Sequence, residues 1–215
     1  MRLVVKIGGS LAISGNGPNA AYLRKLIPVL TQLSASHQLI VAIGGGQFVR
    51  NYYAAVKPLK LPDEEKEWLA IELLRANVRL LASLTGLQPI FSLDEVDEHT
   101  SGVIGGIAPG RSTDANAALA AAHIHADYFI KLTNVDGMYD KDPKKRRSAK
   151  KISAISFGEL KRYAVPGAPG SYGVLDPTAI DTIVAHRIPT IVMNGGSPKN
   201  LLKAVTGARI GTRIS

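Results

Sequence analysis

Glycine closes two apolar runs in this chain, Val4-Val5-Lys6-Ile7-Gly8-Gly9-Ser10 and Val41-Ala42-Ile43-Gly44-Gly45-Gly46-Gln47. Each reads as a buried strand opening into a turn that has no Cβ atoms. Backbone N–H groups in such turns approach an anion closely, and the turns lead into helix N-termini, where the dipole favours phosphate. Two of them in one chain suggest two phosphate groups. Neither matches G-x-x-x-x-G-K-[ST] or G-x-G-x-x-G, so a P-loop or a dinucleotide fingerprint loses its main support. His37, His99, His123, His125 and His186 show no H-E-x-x-H spacing and the chain has no cysteine. No protein-held metal site is therefore expected.

The elements that must carry these residues alternate along the chain. Strands are expected at Leu3–Ile7, Leu39–Ile43, Pro89–Ser92, Gly102–Ile104, Tyr128–Leu132 and Thr190–Met193. Leu23, Leu26, Ile27, Leu30 and Leu33 recur at helical spacing, with Pro28 expected to bend that helix. A longer helical pattern runs from Glu64 to Leu84, with Leu69, Leu73, Ala76, Leu80 and Leu84 on its inward face, and further helices are expected at Thr113–His123, Pro177–His186 and Pro198–Val205. Strands alternating with helices imply a mostly parallel sheet covered on both faces, with ligands beyond the carboxyl ends of the strands, where the glycine turns lie. The stretch Ala164–Gly173, rich in proline and glycine, reads as a connector.

At 215 residues the chain suits one sizeable core, and residues 1–215 read as a single domain. Hydrophobic residues make up 46% and charged residues 20%, an ordinary globular balance, and no apolar run reaches the ~20 residues of a membrane span. The absence of cysteine and of signal-peptide architecture points to a soluble, cytoplasmic protein without a membrane partner. A net charge of +9 suits polyanions, including nucleotides. The densest basic stretch, Lys141 to Lys151, holds Lys144, Lys145, Arg146 and Arg147 but no aromatic residues. It reads as a solvated loop rather than a nucleic-acid surface.

Four segments, VVKIGGS at Val4–Ser10, IGGGQFVR at Ile43–Arg50, GGIAPGRSTDANAA at Gly105–Ala118 and TNVDGMYDKDP at Thr133–Pro143, together resemble the amino acid kinase family, nearest its archaeal uridylate kinase branch. The resemblance runs in order through Asp176-Pro177 to Gly211-Thr212. It implies a three-layer α/β/α sandwich and transfer of the γ-phosphoryl of ATP to a nucleoside monophosphate, most closely UMP, with Mg²⁺ carried by the nucleotide. It also implies small nucleotides as ligands and a homohexamer.

By the same resemblance Lys6 is the lysine that meets the transferred phosphoryl, with Asp114 orienting it. Read from residue types alone, Lys6 is a lysine at a strand end and Asp114 a helix N-cap before Ala115. The resemblance places Gly8, Gly9 and Ser10, with Thr133, Asn134, Asp136, Tyr139, Asp142 and Pro143, on the ATP side. Gly44, Gly45, Gly46, Arg50, Glu67, Gly110, Ser112 and Thr113 fall on the acceptor side. Asp176 stands where uridylate kinases carry aspartate, which favours a nucleoside monophosphate over a carboxylate acceptor. The chain departs from that branch in the run Glu67-Trp68-Leu69-Ala70-Ile71, where D-x-x-G-[IM] is usual. One added methylene at Glu67 and one added methyl at Ala70 are expected to crowd the acceptor pocket. The alternatives are a kinase for another small phosphorylated metabolite, and a non-catalytic nucleotide- or oxoanion-binding homologue.

Overall fold

The computed structural model describes residues 1–164 and 174–215, so the connector expected at 164–173 falls, beyond Ala164, outside the described residues. In chain order the elements are β1 (Arg2–Ile7), α1 (Gly9–Ala12), β2 (Ile13–Ser14), β3 (Gly17–Pro18), α2 (Ala20–Ser34), β4 (Gln38–Ile43), α3 (Gly46–Val56) and α4 (Asp63–Thr85). There follow β5 (Gln88–Ile90), β6 (Gly102–Ile104), α5 (Thr113–His123), β7 (Tyr128–Thr133), β8 (Ala154–Ile155), α6 (Phe157–Leu160), α7 (Pro177–Ala185), β9 (Thr190–Asn194), α8 (Lys199–Val205) and β10 (Thr212–Ile214).

Eight strands form one sheet in the order β5-β6-β4-β1-β7-β9-β10-β8, parallel except where β10 meets β9. Strands buried on both faces need apolar side chains at every position, which is why β1 and β4 read as unbroken Val, Leu and Ile runs. Leu3, Val5 and Ile7 pack under α2, α4 and α8, while Val4, Ile40, Ala42 and Phe129 pack under α5, α6 and α7. The period-two alternation of the strands thus divides the core into two halves, giving the three-layer α/β/α sandwich. The six expected strands are present, although β5 ends at Ile90 because Ser92 leaves the sheet to accept from the Asp94 N–H. The short β2–β3 hairpin, β8 and β10 carry too few residues to show a period.

Helix ends follow their local chemistry. Asn19 caps α2 by accepting from the Tyr22 N–H, and the helix continues unbroken past Pro28. Asp63, Glu64 and Glu65 occupy the first turn of α4, where the macrodipole favours anions. Gly86 ends that helix in the left-handed region at φ 74°. The inward face of α4 is not the one its spacing suggested. Ile71, Val78 and Leu81 are buried, whereas Leu84 is 44% exposed and Ala76 faces solvent. Two neighbouring apolar stripes satisfy helical spacing here. The turn after β6 selects between them, because Gly105 and Gly106 come so close that a Cβ on either would meet Val78 or Leu74 at 2.6–2.7 Å.

β1 lies at the point where the strand order reverses, with β4 on one side and β7 on the other. The glycine turns at the ends of β1 and β4 are wedged together, since a Cβ on Gly9 would stand 2.6 Å from the Gly46 nitrogen. Gly46 has φ 59°, and a Cβ there would meet the carbonyl oxygens of Ile13 at 2.3 Å and Gly9 at 2.6 Å. Gly86 shares the left-handed conformation but has open space around it. Gly86→Ala should therefore cost about 1 kcal/mol of unfolding free energy, the conformational penalty alone. Gly46→Ala should cost clearly more by the same denaturant titration; equal losses would mean that the two turns are not rigidly packed.

Candidate active site

The alternation that buries Ile7 under one helical layer turns Lys6 toward the other. Lys131 on β7 stands directly opposite Lys6 in the sheet register and points to the same face. Both side chains are almost wholly buried, at 7% and 6% exposure. Two adjacent ammonium groups require a counter-charge, and Asp114 supplies it from the first turn of α5. Lys6 Nζ lies 2.9 Å from Asp114 Oδ1, and Lys131 Nζ donates to Asp114 Oδ2.

The N-cap reading of Asp114 is corrected by this geometry. Ser112 caps α5, its Oγ accepting from the Ala115 N–H at 3.0 Å, which frees the Asp114 carboxylate for the lysines. Burial by itself would raise the Asp114 pKa, but the charges and hydrogen bonds of Lys131 and Lys6 outweigh it and hold the carboxyl below its ordinary value. Lys131 moves down to about 8, first because of burial and also because of the Lys6 charge, against the attraction of Asp114. The carboxylate stays ionised while Lys131 loses basicity, first because burial disfavours its charge and then because Lys6 shares the one carboxylate with it.

Lys6 and Lys131 open into a cleft of about 400 Å³. Gly8, Gly9, Ser10, Arg50, Thr133, Asn134 and Asp142 also line it, so the turn after β1, the Arg50 side of α3 and the Thr133–Pro143 segment meet there, whereas Gly44, Gly45 and Gly46 do not line it. Their parts differ in detail. The Gly8 N–H is used by the sheet, donating to the Leu132 carbonyl at 2.8 Å, whereas Gly9 and Ser10 open α1 and have no helical carbonyl to donate to. Gly45 precedes α3 as its cap residue, and Gly44 lies close to Thr113, whose Oγ1 would be 3.3 Å from an added Cβ. The Arg50 guanidinium reaches the cleft held by Gln47 Oε1 at 2.9 and 3.2 Å.

Asp142 closes the turn that follows by accepting from the Lys144 N–H at 2.9 Å. That turn brings the Lys144 side chain to the cleft wall, so Lys144 is separated from Lys145, Arg146 and Arg147, with which it reads as one solvated loop. Asp136, Tyr139 and Pro143 do not line the cleft: Asp136 accepts from the Asn194 amide at 2.8 Å, and Tyr139 forms an isolated bridge with Lys151. Asp176 caps α7 by accepting from the Ala179 N–H, and its charge is felt at Lys131.

Glu67 and Gly110 meet in a separate hollow of about 240 Å³, with Ala70, Ile71 and Arg111 in its wall. Glu67 Oε2 accepts the Gly110 N–H at 2.6 Å, joining α4 to the turn before α5. Lys131, like Lys144, is a cleft residue that motif reading missed. Its signal was a charge interrupting the apolar run Phe129-Ile130-Lys131-Leu132, which a buried strand tolerates only beside a partner.

The amino acid kinase family model matches residues 1–99 and 93–194. The uridylate kinase of Methanobrevibacter smithii is 35% identical over all of this chain and 99% of its own length, and that of Methanocella arvoryzae is 37% identical with the same coverage. Among solved structures, uridylate kinase from Archaeoglobus fulgidus superposes with a TM-score of 0.86 at 31% identity, each chain covered in full. UMP kinase from Bacillus anthracis shares the fold, with a TM-score of 0.81 at 20% identity. With paired lysines, abutting glycine turns and similarity along its whole length, this chain belongs to the amino acid kinase family.

Proposed function

We propose that this chain transfers the γ-phosphoryl group of ATP to the phosphate of UMP. The observation that carries the reading is the single cleft where Lys6, Lys131 and Arg50 converge with the glycine turn after β1. Full-length similarity to uridylate kinases supports it. Charge spreads over the transferred oxygens in the transition state, so cations and backbone N–H groups fixed in advance supply most of the catalysis.

In this reading the Gly9 and Ser10 N–H groups hold ATP phosphates, and Gly44, Gly45, Gly46 and Arg50 hold the acceptor phosphate. An acceptor oxygen forms the new P–O bond as the bond to the β,γ-bridging oxygen breaks, giving UDP and ADP. That oxygen is already ionised near neutral pH, so Asp114 removes no proton; it pairs with Lys6 and Lys131 and aims them. Thr133, Asn134, Asp136, Tyr139, Asp142 and Pro143 serve the adenosine side, while Glu67, Gly110, Ser112 and Thr113 serve the acceptor nucleoside. Mg²⁺ bound to the ATP phosphates would neutralise part of their charge, with Asp142 the carboxylate at the cleft wall nearest to that role. A cytoplasmic homohexamer is part of the same proposal.

Lys6→Ala should lower kcat about a hundredfold or more, with a smaller change in the KM for ATP, as expected for a donor acting on developing charge. Wild-type turnover in the folded variant would remove Lys6 from the mechanism. Lys131 is cationic below about pH 8 and neutral above it. Activity that needs its charge should therefore fall as pH rises through that value. The falling limb should be absent in Lys131→Met, at a lower plateau, and displaced upward in Lys131→Arg. A limb unchanged by either substitution would assign it to another group.

A second reading, a smaller phosphorylated metabolite as acceptor, is favoured by the hollow at Ala70, where the Gly110 N–H is already taken by Glu67. A screen of UMP, CMP, dUMP and small phosphate esters with MgATP decides between them. For UMP, Ala70→Gly should raise kcat/KM or leave it intact, because a misfit methyl costs about 1–3 kcal/mol of discrimination. For a smaller acceptor, Ala70→Gly together with Glu67→Asp should weaken that acceptor and raise activity on UMP.

A further inference from the structure

Across the sheet layer from Asp114, a groove of about 640 Å³ lies between α2 and the turn leading into α8, wider than the catalytic cleft. Arg24, Lys25, Lys199 and Lys203 stand around it, and no carboxylate lines it. Its apolar floor is Pro28, Val29 and Leu202. Among the described residues, none of these four cations has an ion pair.

Lys203 stands in the last turn of α8, where the macrodipole favours a cation, but the fold gains little else locally from this arrangement. Lys199 and Lys203 are four residues apart on one helix, a like-charge spacing that is destabilising. Lys199 also sits in the first turn of α8, where the macrodipole opposes a cation and no acid offsets it. Local charge conflict without a compensating partner marks positions kept for something other than folding. The volume lies within the range of small-molecule sites, and an apolar floor under a cationic rim matches a ring bearing a phosphate. Nucleic acid would call for exposed aromatic platforms along the basic surface, and none lines this groove.

The rim connects to the catalytic side. The Gly196 N–H donates to Asn194 Oδ1 at 2.8 Å, and Asn194 Nδ2 donates to Asp136 Oδ1 at 2.8 Å. The Gly195 N–H also donates to the Thr133 carbonyl at 2.8 Å. We infer that the groove between α2 and α8 is an effector site for a small organic phosphate with an apolar ring, coupled through Asn194 to the Thr133–Pro143 segment. The coupling half rests on the assignment of that segment to ATP; the binding half does not.

The test is calorimetric titration of phenyl phosphate into the full chain, repeated with Lys199→Ala/Lys203→Ala and with Lys6→Ala. Affinity should fall about tenfold or more in the double variant, as loss of two charge-assisted contacts implies, and persist in Lys6→Ala. No binding, or binding lost in Lys6→Ala and kept in the double variant, overturns the site. Binding of a single-stranded oligonucleotide at Lys199 and Lys203 that phenyl phosphate fails to displace also overturns it. In steady-state assays phenyl phosphate should shift the KM for ATP in the wild type and in neither the double variant nor Asn194→Ala, which should still bind it. An unchanged KM at saturation refutes the coupling, whereas absence of kinase activity refutes the proposed reaction and leaves the titration intact.

Discussion

Two lysines buried side by side cannot be held without a negative charge between them. Side chains leaving adjacent strands about 4.8 Å apart carry their charges close enough to repel by on the order of 3 kcal/mol at an effective dielectric near 20. Asp114 meets both Lys6 and Lys131, and everything that delivers it to that point is constrained in turn. α5 must start where its first turn overlies β1 and β7, so Ser112 takes the capping role. The helix must also lie close to the sheet, and its inward face is accordingly alanine, from Ala115 to Ala121. The pair of ammonium groups keeps a fixed position at the cost of lowered basicity at Lys131. Phosphate oxygens arriving in the cleft would supply the second negative charge that a single carboxylate cannot.

The glycine turns answer a second constraint, which in the proposed reaction is that two polyanionic groups be held within bonding distance of each other. Their residues are small partly for ligand access and partly because the turns themselves collide. Gly46 is fixed by the carbonyls of Ile13 and Gly9, and this contact ties the end of β4 to the end of β1. Similar ties link the outer regions of the site. Glu67 binds α4 to the Gly110 turn, and Asn194 binds β9 to Asp136. Both links are side-chain hydrogen bonds between segments far apart in sequence, so each fixes the position of one segment from another element.

The run Val4-Val5-Lys6-Ile7 followed by two glycines could be read as a strand ending at an anion site because hydrophobic burial and the absence of Cβ are local properties. The helix Thr113–His123 was legible for the same reason, with polar residues before an alanine run. The inward face of α4 was not, since two stripes of that helix have equivalent spacing and only the turn at Gly105 and Gly106 favours one. Lys144 could not be distinguished from Lys145, Arg146 and Arg147 by composition. A hydrogen bond from its own backbone to Asp142 turns it alone toward the cleft.

The amino-acid sequence by itself determined the alternation of strands and helices, the buried parallel sheet and the pairing of two glycine turns with Lys6, because each depends on periodicity or residue type within a few neighbours. The partnership of Lys6 with Lys131 was decided only by tertiary structure. It arises from the register of β1 against β7, two strands more than a hundred residues apart, and from the placement of α5 across both. The groove between α2 and α8 has the same origin: its cations are ordinary surface residues on separate helices until packing turns them onto one cavity. Electrostatic coupling depends on distance in space, and chain spacing carries no information about that distance once residues lie on different elements.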